Sequence, residues 1–231
     1  MKTLGMIGGI APESTIDYYR QIIAAYRRQR TDGSYPSIVI NSIDMTRMLG
    51  LIGADRLSEV TDYLLGEVER LASAGADFGL MASNTPHIVF DELRRQSPIP
   101  LISIVEAACQ AAAALGLRKV SLFGTRFTMQ GGFYPDLFAK QGIEVVLPAA
   151  EERAYIHDRY VGELVEGIYR TETRDRMLAI VNALGLRENI DGVILGGTDL
   201  PMLFRDGPQP AIPLLDTTAI HVEQAVAWLL A

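Results

Sequence analysis

The stretches "GLMASNT" (residues 79–85) and "GVILGGTDL" (residues 192–200) decide the fold of this chain. Each is a short apolar run, typical of a buried strand, that ends in small and hydroxyl-bearing residues just before a new helix. "LGMIGGIAPEST" (residues 4–15) and "VSLFGTRFTM" (residues 120–129) form a second pair of the same kind. Four strand ends of one kind indicate two similar lobes that face each other, and ligands of such sheets bind beyond the carboxyl ends of the strands.

Short β-branched runs alternate with longer amphipathic stretches around these segments, which predicts an α/β fold with parallel sheets covered by helices. The expected strands are TLGMIGG, SIVINS, FGLMAS, PLISI, KVSLFGT, EVVLP, GVILGGT and AIPLLD. The expected helices are STIDYYRQIIAAYRRQ, RLSEVTDYLLGEVERLASAG, PHIVFDELRRQ, EAACQAAAALGL, GGFYPDLFAKQG, EERAYIHDRYVGELVEGIYR, TRDRMLAIVNALGL and TTAIHVEQAVAWLL. We expect Ser14 to cap the first helix, Gly75 to end the second, and Asp216 or Thr217 to cap the last.

The alternation also predicts where one lobe gives way to the other. The chain is expected to leave the first lobe near Ser103 and to return to it near Pro213. The first lobe then comprises residues 1–102 and 213–231, and the second comprises residues 103–212. In this arrangement the last helix packs on the first lobe.

Composition excludes several classes of protein. With 231 residues, 48% of them hydrophobic, the chain has enough apolar material for a sizeable core. A formal net charge of -7 argues against a nucleic-acid partner, and the basic run "RRQR" reads as a solvated helix end. The N-terminus does not resemble a signal peptide, and no apolar run approaches the roughly 18 residues of a membrane span.

The single cysteine and the three histidines predict neither a disulfide nor a metal site. Cys109 is the only cysteine, so no internal disulfide can form, and a reducing, cytoplasmic setting is expected. It lies in an alanine-rich helix, where a buried structural thiol is expected. His87, His157 and His221 are too widely separated for metal-ligand spacing, so we predict no metal site.

The loops after the strands supply candidate binding groups. Gly9 lies in a loop of small residues before a helix, and such a loop can offer backbone N–H groups to an anion. The loop matches neither the G-x-G-x-x-G motif of dinucleotide-binding proteins nor the Walker motif, whose lysine it lacks. Arg47 could grip a carboxylate through two parallel hydrogen bonds, or be a solvated loop residue. Thr125 and Thr128 suit a carboxylate or phosphate, with helix capping as the alternative. His221, one turn into the last helix, reads as a packed or exposed residue.

Taken together, these loops resemble the aspartate/glutamate racemase family, within the wider group that includes hydantoin racemases and arylmalonate decarboxylases. The segments that carry the resemblance are GMIGGIAPESTIDYYR, ASNTPH, GTRFTM, PAAEERAYIHDRYVGELVEG, GGTDLPML and LLDTTAIH, in family order over nearly the whole chain. The resemblance implies two similar Rossmann-like lobes with an active-site cleft between them, no cofactor, and commonly a homodimer. It implies a small acidic amino acid or a dicarboxylate as the ligand.

The resemblance also implies a two-base racemisation, in which one thiolate removes the α-proton and a thiol on the opposite face returns one. The family cysteines belong in A-C-N-T-x-H and G-C-T-E patterns, but this chain has Ser83 and Gly197 there, and Asp199 at the Glu position. Cysteine can ionise near neutral pH, whereas a serine hydroxyl is a poor base unless another group takes its proton. His87, four residues after Ser83, is a candidate for that task.

We therefore expect chemistry, if present, to use Ser83, His87 and Asp199. The positions implied for substrate binding are Gly9, Arg47, Asn84, Thr85, Thr125, Thr128, Gly197 and Thr198. Four interpretations stay open: a racemase or epimerase with substitute bases, a one-base decarboxylase, lyase or isomerase, a non-catalytic dicarboxylate or amino-acid binder, and an engineered knockout. The last ranks lowest because Cys→Gly is not a usual choice for a knockout.

Overall fold

The computed structural model describes residues 2–231 as two compact units, each with its own parallel sheet. The first unit comprises the chain through Ile104 together with His221–Ala231, and the second comprises Val105–Ile220. The predicted α/β fold with parallel sheets is confirmed. Within residues 2–231, no helix combines the length and apolar character that crossing a membrane requires.

The first unit is built on three parallel strands in the order β2-β1-β3. Its elements are β1 (Thr3–Gly8), α1 (Pro12–Gln29), β2 (Ser37–Ser42), α2 (Met45–Gly53), α3 (Leu57–Ser73), β3 (Phe78–Met81), a 3-10 turn (Thr85–Val89) and α4 (Phe90–Gln96). Central β1 is buried from Leu4 through Gly8, whereas β2 at the edge is only partly buried. Ile7 lies opposite Met81, so the carboxyl ends of β1 and β3 are neighbours.

The second unit has four parallel strands in the order β5-β4-β6-β7. Its elements are α5 (Ile104–Ala114), β4 (Lys119–Gly124), α6 (Arg126–Gln130), α7 (Phe133–Ala139), β5 (Glu144–Val146), α8 (Ala150–Gly162), a 3-10 turn (Leu164–Glu166), α9 (Thr171–Glu188), β6 (Gly192–Gly196), α10 (Leu200–Arg205), β7 (Leu214–Asp216) and α11 (Thr217–Leu230). The unit boundaries fall inside α5 and α11. Gly124 pairs with Gly196, so β4 and β6 end side by side.

Local differences from the sequence expectations have clear causes. Ser14 does not cap α1, because the helix already begins at Pro12, whose fixed φ suits a first turn, and Ser14 lies buried inside that turn. The expected strand PLISI is reduced to one bridge between Leu101 and Gly79, since the chain enters α5 at Ile104. Gly75 does end α3, with a φ of +90° that favours glycine.

Two further differences, and one confirmed expectation, concern elements after the first sheet. The expected helix EERAYIHDRYVGELVEGIYR is broken after Gly162 and continues only as a 3-10 turn. The expected return to the first lobe near Pro213 differs from the structure, because β7 pairs with β6 and so keeps residues 214–216 in the second sheet. Asp216 does cap α11, since its Oδ1 accepts from the Ala219 N–H at 2.9 Å.

The core of the first unit is formed by β1, β3, α1 and the end of α11. Tyr18, Ile22 and Tyr26 recur every four residues on α1 and are fully buried. They belong to one apolar cluster with Val222 and Val226 of α11. The final helix therefore contributes to the first unit, as its amphipathic pattern requires.

Two histidines are buried in this unit and are held neutral. The Tyr18 hydroxyl lies 3.0 Å from His221 Nδ1, and His221 Nε2 lies 3.3 Å from the Ile102 carbonyl, which can only accept. Nε2 therefore carries the proton, and Tyr18 donates to Nδ1. Burial lowers the pKa of His221 to about 3, and burial followed by the proximity of His221 lowers the pKa of His87 to about 3.

This burial makes the protein lose stability in acid. At pH values above about 6.5 the histidine is neutral in both the folded and the unfolded protein, so its titration does not change the stability. As the pH falls from about 6.5 toward 3, only the unfolded protein binds a proton on this histidine, and the free energy of unfolding decreases. Between about pH 7 and pH 5 we expect a loss of about 2 kcal/mol per histidine in the free energy of unfolding, measured by urea titration. His221→Gln should remove its share of this slope. Tyr18→Phe is the matched control, because it deletes the hydrogen bond but leaves the titrating group, so its slope should equal that of the wild type.

Candidate active site

The ends of β1 and β3 bring Gly9 and the Ser83-Asn84-Thr85 segment to one edge of the first sheet. Ser83, Asn84 and Thr85 are polar, yet they are exposed by only 6%, 1% and 5%. Buried polar groups are retained where they have partners or a task, because burial without hydrogen bonding costs free energy. The structure thus brings three of the predicted residues together in one buried loop after β3.

Gly9 has a structural requirement of its own. Its φ is +82°, and a Cβ there would lie 2.6 Å from the Ile43 carbonyl oxygen, so only glycine fits. The Gly9 N–H donates to Thr15 Oγ1 at 2.8 Å. The amide that was expected to meet an anion therefore serves the turn into α1 in this structure.

His87 lies in the same loop as Ser83, but its ring is already engaged. Its Nε2 accepts from the Ile104 N–H at 3.3 Å, which places the proton on Nδ1. Within residues 2–231, Nδ1 makes no hydrogen bond, although the carbonyls of Ser83 and Asn84 lie near the ring and offset part of its lowered pKa. His87 is a neutral, buried imidazole stacked on Phe90, with ring centroids 4.9 Å apart.

Arg47 lies on a helix that was not expected from the sequence. Asp44 caps α2 by accepting from the Thr46 N–H at 2.8 Å and from the Arg47 N–H at 3.3 Å. The exposed Arg47 guanidinium lies 4.4 Å over the Tyr63 ring. Stacking uses the flat face of a guanidinium and leaves its N–H edges for a planar anion.

In the second unit, Thr125 follows β4 and caps α6. Its Oγ1 accepts from the Thr128 N–H at 3.2 Å and lies 3.1 Å from Thr128 Oγ1. The capping alternative is therefore seen, and it keeps both hydroxyls together at the strand end. Beside them the Arg126 N–H donates to His157 Nδ1 at 3.2 Å.

Gly197, Thr198 and Asp199 follow β6, the neighbour of β4, and so lie next along the same sheet edge as Thr125. Thr198 and Asp199 are each only 1% exposed. The Tyr160 hydroxyl donates to Asp199 Oδ2 at 2.7 Å. A Cβ at Gly197 would lie 2.3 Å from Tyr160 Cε2, far inside contact distance.

Tyr160 is a residue of this site that the sequence reasoning missed. It lies on α8, 37 positions before Gly197. The sequence of α8 does not indicate that the helix contacts the loop after β6. Burial, followed by the neighbouring Asp199 carboxylate, raises the pKa of Tyr160 well above its ordinary value. The side chain is therefore a neutral phenol that donates to a carboxylate.

Among residues 2–231, the side chains suit neither a metal site nor a thiol base. Across residues 2–231, no three His, Cys, Asp or Glu side chains are grouped so that they could hold a metal ion. Cys109 is buried on α5, its Sγ lies 4.0 Å from the Leu137 carbonyl, and burial raises its pKa. Its thiol is protonated at neutral pH, as expected of a structural cysteine.

The contact at Gly197 predicts a specific cost for adding one methyl group. Gly197→Ala should lower the free energy of unfolding by about 1–3 kcal/mol, because the new Cβ overlaps the buried Tyr160 ring. Gly162→Ala, on α8 in the same unit with open space around the site of the Cβ, is the control and should be close to neutral. Urea titration of both variants measures the difference; equal stabilities would contradict the packing described here.

Comparison with known proteins places these strand-end loops in a family. The sequence profile described as Asp/Glu/Hydantoin racemase matches residues 7–225. The chain is 25% identical over 240 residues to the broad specificity amino-acid racemase RacX of Bacillus subtilis, covering 99% of this chain and 98% of that protein.

Solved structures of related proteins share the fold of this chain over nearly its full length. An aspartate racemase homologue from Pyrococcus horikoshii OT3 is 31% identical with a TM-score of 0.85, covering 100% of both chains. The aspartate racemase of Picrophilus torridus is 20% identical with a TM-score of 0.76, covering 98% of this chain and 95% of that one, and so shows the shared fold. By its sequence match and its fold, this chain belongs to the Asp/Glu/hydantoin racemase family.

Proposed function

We propose that the protein is a cofactor-independent amino-acid racemase that acts on aspartate, glutamate or a related acidic compound without two thiols. The observation that carries the proposal is the family match over residues 7–225, which spans every strand-end loop described above. RacX is named for broad specificity toward amino acids, and the P. horikoshii and P. torridus relatives are named for aspartate racemase. An acidic amino acid is therefore the first substrate to test.

Binding of the substrate is assigned to groups that prefer carboxylates. Asn84 and Thr85 in the first unit, and Thr125, Thr128 and Thr198 in the second, supply amide and hydroxyl groups at strand ends. Arg47 is proposed to meet the side-chain carboxylate, since its guanidinium edge suits a planar, bidentate anion. Gly9 allows the close approach of the Ile43 backbone, and Gly197 allows that of the Tyr160 ring, at positions where a Cβ would not fit.

Proton transfer is assigned to Ser83, His87 and Asp199. A serine hydroxyl needs an acceptor for its proton, and the neutral His87 ring is the nearest candidate along the chain. For His87 to accept that proton, Nε2 must give up the hydrogen bond from the Ile104 N–H, because Nδ1 already carries the ring proton. The low pKa of His87, about 3, makes the ring a weak base, so we expect slow turnover compared with a thiolate enzyme.

A second candidate function, binding of a dicarboxylate or amino acid without turnover, is favoured by one observation. The only cysteine, Cys109, is buried on α5 with a raised pKa, so neither strand-end loop holds a thiol. One-base chemistry on a related acid, such as decarboxylation or elimination, is the enzymatic alternative. Racemisation, binding without turnover and one-base chemistry differ in whether the α-proton of the ligand is exchanged and whether the configuration is inverted.

The test is proton exchange in D2O, followed by NMR with L- and D-aspartate, L- and D-glutamate and related acids. The proposal predicts loss of the Cα–H signal with appearance of the opposite enantiomer. Ser83→Ala should lower the rate of inversion by about a hundredfold or more, because it removes one of the two proton-transfer groups. The exposed Ser73→Ala at the end of α3 is the control and should exchange like the wild type.

Each other outcome has a distinct meaning. Exchange without inversion, or a new product, would establish one-base chemistry instead of racemisation. Line-broadening of a ligand without exchange would establish a binding protein. Full turnover of Ser83→Ala on a confirmed substrate would show that the assignment of Ser83 is wrong.

A further inference from the structure

The position of the absent second thiol is not an empty space within the second unit. The ring of Tyr160 lies so close to Gly197 that Cε2, Cζ and the hydroxyl oxygen stand 2.3, 2.9 and 3.0 Å from the point where a Cβ would be. Tyr160 is itself only 6% exposed, so its ring is held there by surrounding atoms. A hydroxyl group therefore occupies the neighbourhood in which a side chain at residue 197 would present its reactive atom.

The same hydroxyl is already connected to a proton acceptor. It donates to Asp199 Oδ2 at 2.7 Å, a short, charge-assisted hydrogen bond. Asp199 stands at the N-cap position of α10, yet its side chain makes no capping hydrogen bond to that helix. The carboxylate is thus turned toward Tyr160 rather than used to stabilise the helix end.

We propose that Tyr160 and Asp199 form a proton relay that replaces the missing second thiol, with the Tyr160 hydroxyl as the group that contacts the substrate α-carbon. The inference rests on the proposed function, since it assigns one of the two proton transfers that racemisation needs. Tyr160 is then a catalytic residue that is not among the site positions implied by the family resemblance, and Asp199 is the group that holds the transferred proton.

The relay balances without any additional reactant. In one direction the bond between Cα and its hydrogen breaks, and the proton passes to the Tyr160 oxygen while the Tyr160 proton passes to Asp199 Oδ2. The electron pair of the broken bond stays on the substrate as an ene-diolate, and Asp199 becomes a neutral acid. In the other direction Asp199 returns a proton to Tyr160 as Tyr160 protonates Cα on its own face.

This route avoids an isolated phenolate. Tyr160 exchanges one proton for another in the same step, so it stays neutral, and the charge that leaves Asp199 appears on the substrate. A buried carboxylate is costly to keep ionised, which favours its acceptance of a proton during the reaction. A buried, neutral phenol already aimed at a carboxylate is preorganised for this exchange.

The test uses the full-length protein with each pure enantiomer in D2O. Tyr160→Phe keeps the ring that packs against Gly197 and removes only the hydroxyl. We expect inversion to fall by about a hundredfold or more, while one enantiomer still exchanges its α-proton through the opposite group. Asp199→Asn should give the same pattern, and Ser83→Ala should show the mirror pattern, retaining exchange of the other enantiomer.

Tyr155→Phe on the same helix is the matched control, because it also loses a phenol hydroxyl and should exchange like the wild type. The enantiomer-specific pattern separates a relay from a structural role. If Tyr160→Phe inverts both enantiomers at the wild-type rate, or loses exchange of both equally, the relay is wrong although the racemase proposal stands. If the wild type exchanges neither enantiomer of any acid tested, the proposed function fails and the relay fails with it.

Discussion

The register of the parallel strands determines where every polar group of the candidate site lies. Ile7 pairs with Met81 in the first sheet, and Gly124 pairs with Gly196 in the second, so each pair of loops starts from adjacent backbone positions. Parallel strands run in one direction, and their carboxyl ends must therefore meet at one edge. A slip of one residue in either sheet would turn each buried side chain of the strand to the opposite face.

The sheet edges, and the loops that carry the candidate groups, could be predicted because they depend on local patterns. Buried runs such as FGLM and GVILG, each followed by small and hydroxyl residues, point to strand ends without knowledge of the tertiary structure. Gly75 and Asp216 were placed correctly for the same reason, since a C-terminal glycine and an N-terminal aspartate act on their own helices.

The parts that could not be predicted depend on contacts between distant segments. Tyr160 reaches Asp199 across 39 positions, and nothing in its helix indicates that contact. The hydrogen bond from the Ile104 N–H to His87 spans 17 positions. It occupies Nε2, the ring nitrogen that would otherwise act as a base. Pro12 displaced Ser14 as the start of α1, and α2, which carries Arg47, was too short to be recognised by its period.

The packing of Tyr160 on Gly197 also limits how this chain can change. A cysteine introduced at position 197 alone would be met by the ring and could not adopt the geometry that a thiolate base needs. Thiol chemistry at position 197 would therefore require a smaller residue at position 160 as well. Because the two positions share this packing contact, we expect the effects of substitutions at 160 and 197 on stability to be non-additive.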